Sequence, residues 1–246
     1  MAVQAWTGLA ILHGGYSIAC NAKGFNGPRV EAAALDKSAL CDTWDQYLGG
    51  RKSVTWSFDL MQDHAEDGLD EIEWDLFGAT APLSALPAGS TYGSMGYAGS
   101  ALSLVYDPAA ATFGELAMAN LSGRGVGVAV RGHCLHPPAT ARTSSSNGTA
   151  TEIGAVTAAQ RMYASLHVTT VSGTDTPTLT VKVQSSTTEG GSYTDRITFT
   201  NATAIGGQWS NVAGAVTDTW WRVTWTISGT NPSFEFAVLA GIGPLA

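Results

Sequence analysis

The run "TWWRVTWTISGTNPSFEFAVLAG" near the C-terminal end does most to limit how this chain folds. Trp221, Val223, Trp225 and Ile227 alternate with Arg222, Thr224 and Thr226, the period of two that a strand with one buried face imposes. The run divides into two strands, "TWWRVTWTIS" and "SFEFAVLAG"; "YASLHVTTV", "TLTVKVQSS" and "DRITFTNAT" precede them, and turns rich in Gly, Asn, Pro, Ser and Thr separate all these runs. Strands at that spacing imply an antiparallel β-sandwich, jelly-roll-like in kind, over residues 151–246.

Upstream, "HPPATARTSSSNGTATE" clusters Pro, Ser, Thr and Asn with almost no apolar residue, which marks a linker. The chain then divides into a first unit over 1–136, a linker over 137–150 and a second unit over 151–246. In the first unit "SVTWSFDL" alternates cleanly, with Val54, Trp56, Phe58 and Leu60 on one face. "SALSLVYD" and "GELAMANL" read as two more strands. "GVGVAVRGHCL" reads as another, with small residues that allow a second backbone to come close. Ala65, Leu69, Ile72 and Leu76 recur at helical spacing; this helix starts with Asp63 as N-cap and stops at Gly78. "EAAALDKSALCDTWDQYLGGRKS" shows no sustained strand pattern and reads as helix or as a long ordered loop. The fold class is therefore mainly β with one flanking helix.

Charge narrows the partners. Net charge is −8, and residues 1–125 hold 14 acidic against 6 basic side chains, whereas 126–246 hold 6 against 6. Gripping nucleic acid requires clustered Lys and Arg that displace phosphate counterions, and no such cluster is present. Cys20, Cys41 and Cys134 are too few and too far apart for a disulfide framework or a C-x-x-C pair, so free thiols are expected. The opening "MAVQAWTGLAILHGGYS" has no basic n-region, and no apolar stretch reaches 18 residues; neither a signal peptide nor a membrane anchor is expected.

The motifs that carry chemistry are missing. No G-x-S-x-G, P-loop, dinucleotide fingerprint or H-E-x-x-H occurs, so no catalytic residue and no cofactor site is assigned. Eight carboxylates lie between residues 59 and 75, but no EF-hand pattern orders them, and acids on an amphipathic helix form a solvated face. His133, Cys134 and His136 are the nearest approach to a metal cluster. On a strand His133 and Cys134 point to opposite faces and no second cluster completes a site, so no metal is expected. Of the tryptophans, Trp209 and Trp220 fall outside the buried alternation and are the candidates for a glycan-stacking platform in the alternative reading, against the commoner role of tryptophan as core.

"VEAAALDKSALCDTWDQYLGGRKSVTWSFDL", the acidic helix through Gly78 and the strands up to "GVGVAVRGHCLH" resemble the major tail proteins (tail tube proteins) of long-tailed bacteriophages of the siphophage type. "YASLHVTTVSG", "LTVKVQSS", "ITFTNATAIGGQW" and "DTWWRVTWTISGTNPSFEFAVLAGI" look like the extra β domain that such proteins carry. The resemblance covers most of the chain and implies a tail-tube β-sandwich or barrel with one flanking helix, followed by a C-terminal accessory sandwich. It implies a virion protein, assembled in the bacterial cytoplasm, that forms stacked rings with itself, hexameric or trimeric with sixfold pseudosymmetry. Its other partners would be the tape measure, tail terminator and distal tail proteins. DNA would pass through an acidic lumen without specific binding, and no membrane would be involved. By position, Val30 to Lys52 matches the extended loop that reaches an adjacent ring. Leu40, Trp44 and Tyr47 would be its apolar anchors, with Arg51 and Lys52 pairing acids on a neighbour. A helix packed on its own core is the other reading of that segment, and a carbohydrate-binding module or adhesin is the alternative function.

Overall fold

The computed structural model describes residues 8–245 other than 40, 42, 67, 88, 113 and 139. The chain is mainly β: the described residues form fourteen strands, all paired antiparallel in one continuous sheet, and one short helix. In the second half the alternating runs fuse into two very long strands. β11 (Gln160–Ser186) and β14 (Trp220–Pro244) pair from Gln160↔Pro244 to Ser186↔Trp220.

The turn signals that separated these runs in the sequence survive as a bend. Register shifts fall between Val168 and Thr178, and Asp175, Thr176 and Asn231 take left-handed backbone conformations beside Gly173 and Gly229. The ribbon therefore folds back on itself. Met162, Leu166 and Val168 before the bend pack in one core with Val181 and Val183 after it, together with Trp221, Trp225, Phe234 and Phe236. Trp221 is fully buried and its indole N–H donates to the Gly154 carbonyl at 2.9 Å, so a large apolar group enters the core without leaving a polar atom unpaired. β12 (Thr194–Thr198) flanks the ribbon beyond the bend and β13 (Gly206–Ala213) flanks it before the bend, which completes a two-layer sandwich.

The segment 137–150 lies along this sandwich. β9 (Ser146–Asn147) pairs with Trp225 and Thr224, and β10 (Thr151–Glu152) follows with Trp221 and Trp220. Arg142 donates to His136 Nε2 at 3.0 Å and to the Tyr92 hydroxyl at 3.2 Å, and its guanidinium lies over the Trp225 ring.

The first half is a curled sheet. Its strands are β1 (Ala10–His13), β2 (Tyr16–Ser17), β3 (Ala22–Asp36), β4 (Tyr47–Met61), β5 (Thr80–Leu86), β6 (Met95–Asp107), β7 (Met118–Gly125) and β8 (Val130–His136). They lie in the order β3-β4-β7-β6-β5-β1-β2, and β8 joins along β6. Curling brings Ile11 of β1 into one core with Trp56, Phe58 and Leu60 of β4, the face that the alternation of "SVTWSFDL" specified. The curl stays open: among the described residues β3 pairs only with β4, leaving its other edge free.

β8 is shorter than the sequence pattern suggested, because Gly127 takes a left-handed turn and Val126 is exposed. Its small residues do admit a second backbone. Cys134 and His133 pair with Leu239 and Ala240, and a Cβ at Gly132 would stand 2.2 Å from the Ala240 carbonyl oxygen. Through this contact one sheet runs across both halves, and Leu86, Ala98, Val130, Tyr163 and Leu239 form a third core at the junction.

The helix, α1 (Leu69–Leu76), starts later than its apolar spacing indicated. Gly68 is its N-cap, with no side-chain capping bond; Asp63 instead accepts the Ala65 N–H at 3.0 Å in a turn before the helix. Ala65 is accordingly exposed. The end is as expected, with Gly78 in the left-handed conformation just past it.

Candidate assembly interface

The segment from Val30 to Lys52 is not a helix but the outer part of a β-hairpin, with Val30–Asp36 and Tyr47–Lys52 in strand and a loop over 37–46 between them. β3 and β4 are 15 residues each, and only their inner ends meet the body: β4 pairs with β7 over Thr55–Met61 and no further. Beyond Arg29↔Thr55 the two strands continue as an isolated ribbon through Leu35↔Leu48 and Asp36↔Tyr47. At about 3.3 Å per residue, Arg29 to Asp36 carries the ribbon about 25 Å out. Ribbons standing alone are marginal, and this one is fastened at both ends. At the root Phe25 stacks on Phe58 with ring centroids 4.9 Å apart. At the tip the Gln46 N–H donates to Ser38 Oγ at 2.7 Å and the Ser38 N–H to Asp36 Oδ1 at 2.8 Å.

The arm carries more apolar surface than an isolated ribbon needs. Val30, Leu35, Tyr47 and Leu48 are each more than half exposed, and Trp44 in the tip is 85% exposed. Of the residues assigned to an interface from the sequence, Trp44, Tyr47, Arg51 and Lys52 all lie exposed on this arm, and Leu40 lies outside the described residues. Arg51, Lys52 and Arg124 have no acidic partner among the described residues, whereas Arg29 pairs with Glu31. On one flank of the root Asn26, Arg29, Thr55, Leu104, Val105 and Arg124 border a groove of 570 Å³.

The tryptophan pair assigned to glycan stacking does not come together. Trp209 stands opposite Ser165 in β13, half-buried, with its ring stacked on Tyr163 at 5.7 Å in the junction core. Trp220 stands opposite Glu152 and Ser186 at the start of β14, on the outer face of the other layer. They occupy opposite sides of the sandwich. The reason is the bend in the ribbon: the sequence shows its turn residues but not that the ladder continues through them into a second layer.

His133, Cys134 and His136 are likewise spoken for by the fold. His133 Nδ1 lies 2.9 Å from the Gly93 carbonyl, and His136 uses both ring nitrogens, one on the Phe236 carbonyl and one on Arg142. Burial pushes the Cys134 thiol up to about 12 and the His136 imidazole down to about 4. No group of three or more His, Cys, Asp or Glu able to hold a metal occurs among the described residues. Within the acidic segment Asp70 accepts the Tyr106 hydroxyl at 2.6 Å and Gln62 Nε2 at 3.0 Å, which holds its carboxyl below the usual range.

Glu73 is the residue that its charge misplaced, since the acids of this helix read as a solvated face. It is fully buried and contacts His13 Nδ1 at 3.2 Å, fastening α1 to β1. The signal was present: Glu73 stands four residues after Leu69 and three before Leu76, on the same helical face.

No family model matches the sequence, and no curated protein matches it. Among the solved structures that are remotely similar are two phage-type particle proteins. One is from the virion of a native gene transfer agent particle, with 19% identity, a TM-score of 0.43, and coverage of 52% of this chain and 98% of that one. The other is the Dit protein of SPP1, described as a paradigm of the hub adsorption apparatus in Gram-positive infecting phages. It has 11% identity, a TM-score of 0.37, and coverage of 96% of this chain and 99% of that one.

Proposed function

We propose that this protein is a structural subunit of a long-tailed bacteriophage tail, one that assembles with copies of itself into stacked rings around a channel for the genome. The observation that carries this reading is the β3–β4 arm, a ribbon whose outer half exposes Val30, Leu35, Trp44, Tyr47 and Leu48 with none of the described residues of its own chain covering them. An apolar ribbon is a liability in a monomer and an anchor in an assembly. The free edge of β3 adds to it, since a curled sheet with one open seam closes by pairing with the next subunit.

In this reading residues 1–136 form the ring unit and 151–246 an accessory sandwich outside it, joined through 137–150. The acidic excess of the first half repels the phosphate backbone and lets DNA slide. Tape measure, terminator and distal tail proteins are the partners at the ends. The glycan-binding alternative has no comparable support, because Trp209 and Trp220 lie on opposite sides of the sandwich.

Negative-stain electron microscopy of the purified protein across concentration and salt tests the proposal. Rings or tubes with a central channel are expected, and their symmetry separates hexamer from trimer. Isolated particles at every condition would overturn it.

A further inference from the structure

Two polar rows run in register across β3, β4 and β7. Arg29 and Arg124 both stand opposite Thr55, one on each side, and Asn26 and Ser122 flank Ser57 in the same way. Thr55 and Ser57 alternate with the buried Trp56 and Phe58, so both rows lie on the face turned away from the core. Strand spacing sets the two arginine Cα atoms about 10 Å apart, with the Thr55 side chain between them. Register shifts border the rows, between Asn26 and Arg29 in β3 and between Ser103 and Val105 in β6, and such bulges bend a sheet locally. The result is the groove of 570 Å³ at the root of the arm, with Leu104 and Val105 exposed along its β6 side.

The charge of this groove runs against that of the half that contains it. None of its lining residues is Asp or Glu, although residues 1–125 hold 14 acids against 6 bases. Of the acids at flanking positions, Glu31 pairs with Arg29 at 2.5 Å, and Asp59 stands one row beyond Ser57, opposite Asn120. The Arg29–Glu31 pair is weakly held, because its side chains are 74% and 48% exposed. Arg124 has no ion pair among the described residues, and the side chains of Asn26, Thr55, Ser57 and Ser122 have no hydrogen-bond partner there. Two guanidinium groups, three hydroxyls and an amide therefore border one space. A tetrahedral oxyanion has oxygens in enough directions to meet both arginines and the hydroxyls between them, whereas a carboxylate has only two in one plane.

We infer that this groove binds a small phosphate ester, its phosphoryl group clamped between Arg29 and Arg124 above Thr55 and its organic part lying against Leu104 and Val105. The volume falls within the range of about 300–1,000 Å³ usual for small-ligand sites, and exceeds what one phosphate fills. A single clamp holds one phosphoryl group. An extended nucleic-acid backbone needs a run of such contacts, and the net charge of −8 opposes it. The inference goes beyond the tail reading and does not rest on it, since every group of the site comes from one chain.

Phosphorus NMR of glycerol phosphate mixed with the full-length protein tests this. Saturable line broadening with a Kd of about 1 mM or tighter is expected, and acetate at matched ionic strength should not compete. Arg124→Gln should weaken binding about tenfold, and Arg29→Gln should do the same. Both arginines are exposed, so each variant should keep the wild-type melting temperature. Lys23→Gln removes the same charge from an exposed position off the groove and should leave the affinity unchanged. No saturable binding up to about 20 mM would overturn the inference. Equal competition by acetate, or an equal loss in Lys23→Gln, would reduce the effect to general charge attraction and overturn it too. So would duplex DNA held more tightly than glycerol phosphate, which would make the face a nucleic-acid surface.

Discussion

Trp221 shows how a single residue can be read from sequence, and Glu73 how it can be missed. Alternation places Trp221 inside, and it is buried with its indole N–H paired, so Trp221→Ala should cost about 3–5 kcal/mol in urea unfolding. Charge placed Glu73 outside, but its helical position places it against His13. Glu73→Ala leaves the buried imidazole without its partner and should cost about 2–3 kcal/mol, while Glu73→Gln keeps an acceptor and should cost less; equal losses would sink the idea of a specific contact. His136 and His167 carry the pH dependence. Burial outweighs the carbonyl contacts to Phe236 and Gly14 and pushes each down to about 4, so the unfolded chain takes up protons first. Their contribution is intact above about pH 6.5 and is lost as pH falls toward 4. The urea midpoint should therefore drop steadily across that window, and His167→Gln should flatten part of the slope.

At the scale of elements, legibility followed burial. β4 was plain where Trp56, Phe58 and Leu60 enter the core and unreadable from Tyr47 to Lys52, although it is one strand. Alternation is imposed by having one wet and one dry face. A ribbon wet on both faces in the monomer carries no such pattern, so the part of the chain that the proposed function uses is the part that propensity and period describe least. The long ribbon of β11 and β14 erred in the opposite way: its turn residues were visible, but they bend a ladder that continues, so four runs became two strands. Replacing residues 32–51 by a short Asn-Gly turn removes no described residue of the three cores and leaves the Phe25–Phe58 root in place. The shortened protein should stay folded, with a melting temperature within a few degrees of wild type, and should no longer form rings or tubes. Tubes that persist without the arm would remove the main support for the proposed role.

Over the whole molecule, the junction decides whether the two halves behave as one body. β8 is paired on both edges, to β6 through Gly96↔Gly132 and Tyr97↔Arg131, and to β14 through Leu239↔Cys134 and Ala240↔His133. The sequence hinted at this through the small residues of "GVGVAVRGHCL", but which backbone would approach could not be read, because pairing between distant strands leaves no local pattern. Gly132 is a point of close approach: its missing side chain is what allows the Ala240 carbonyl and the Gly241 backbone in. Serine 84, Ser165 and His167 add a buried polar chain across the same boundary, with Ser84 Oγ 2.8 Å from both Ser165 Oγ and His167 Nε2. Breaking polar contacts already sealed from water is costly, which favours joint unfolding. Wild-type protein should therefore melt in a single calorimetric transition. Gly132→Val forces the two backbones apart at Ala240, itself one residue of the sandwich core that contains Trp221, and should split the melt into an earlier transition for the first half and a later one for the second. One transition at a lower temperature would mean that the third core and the serine–histidine chain hold the halves together on their own.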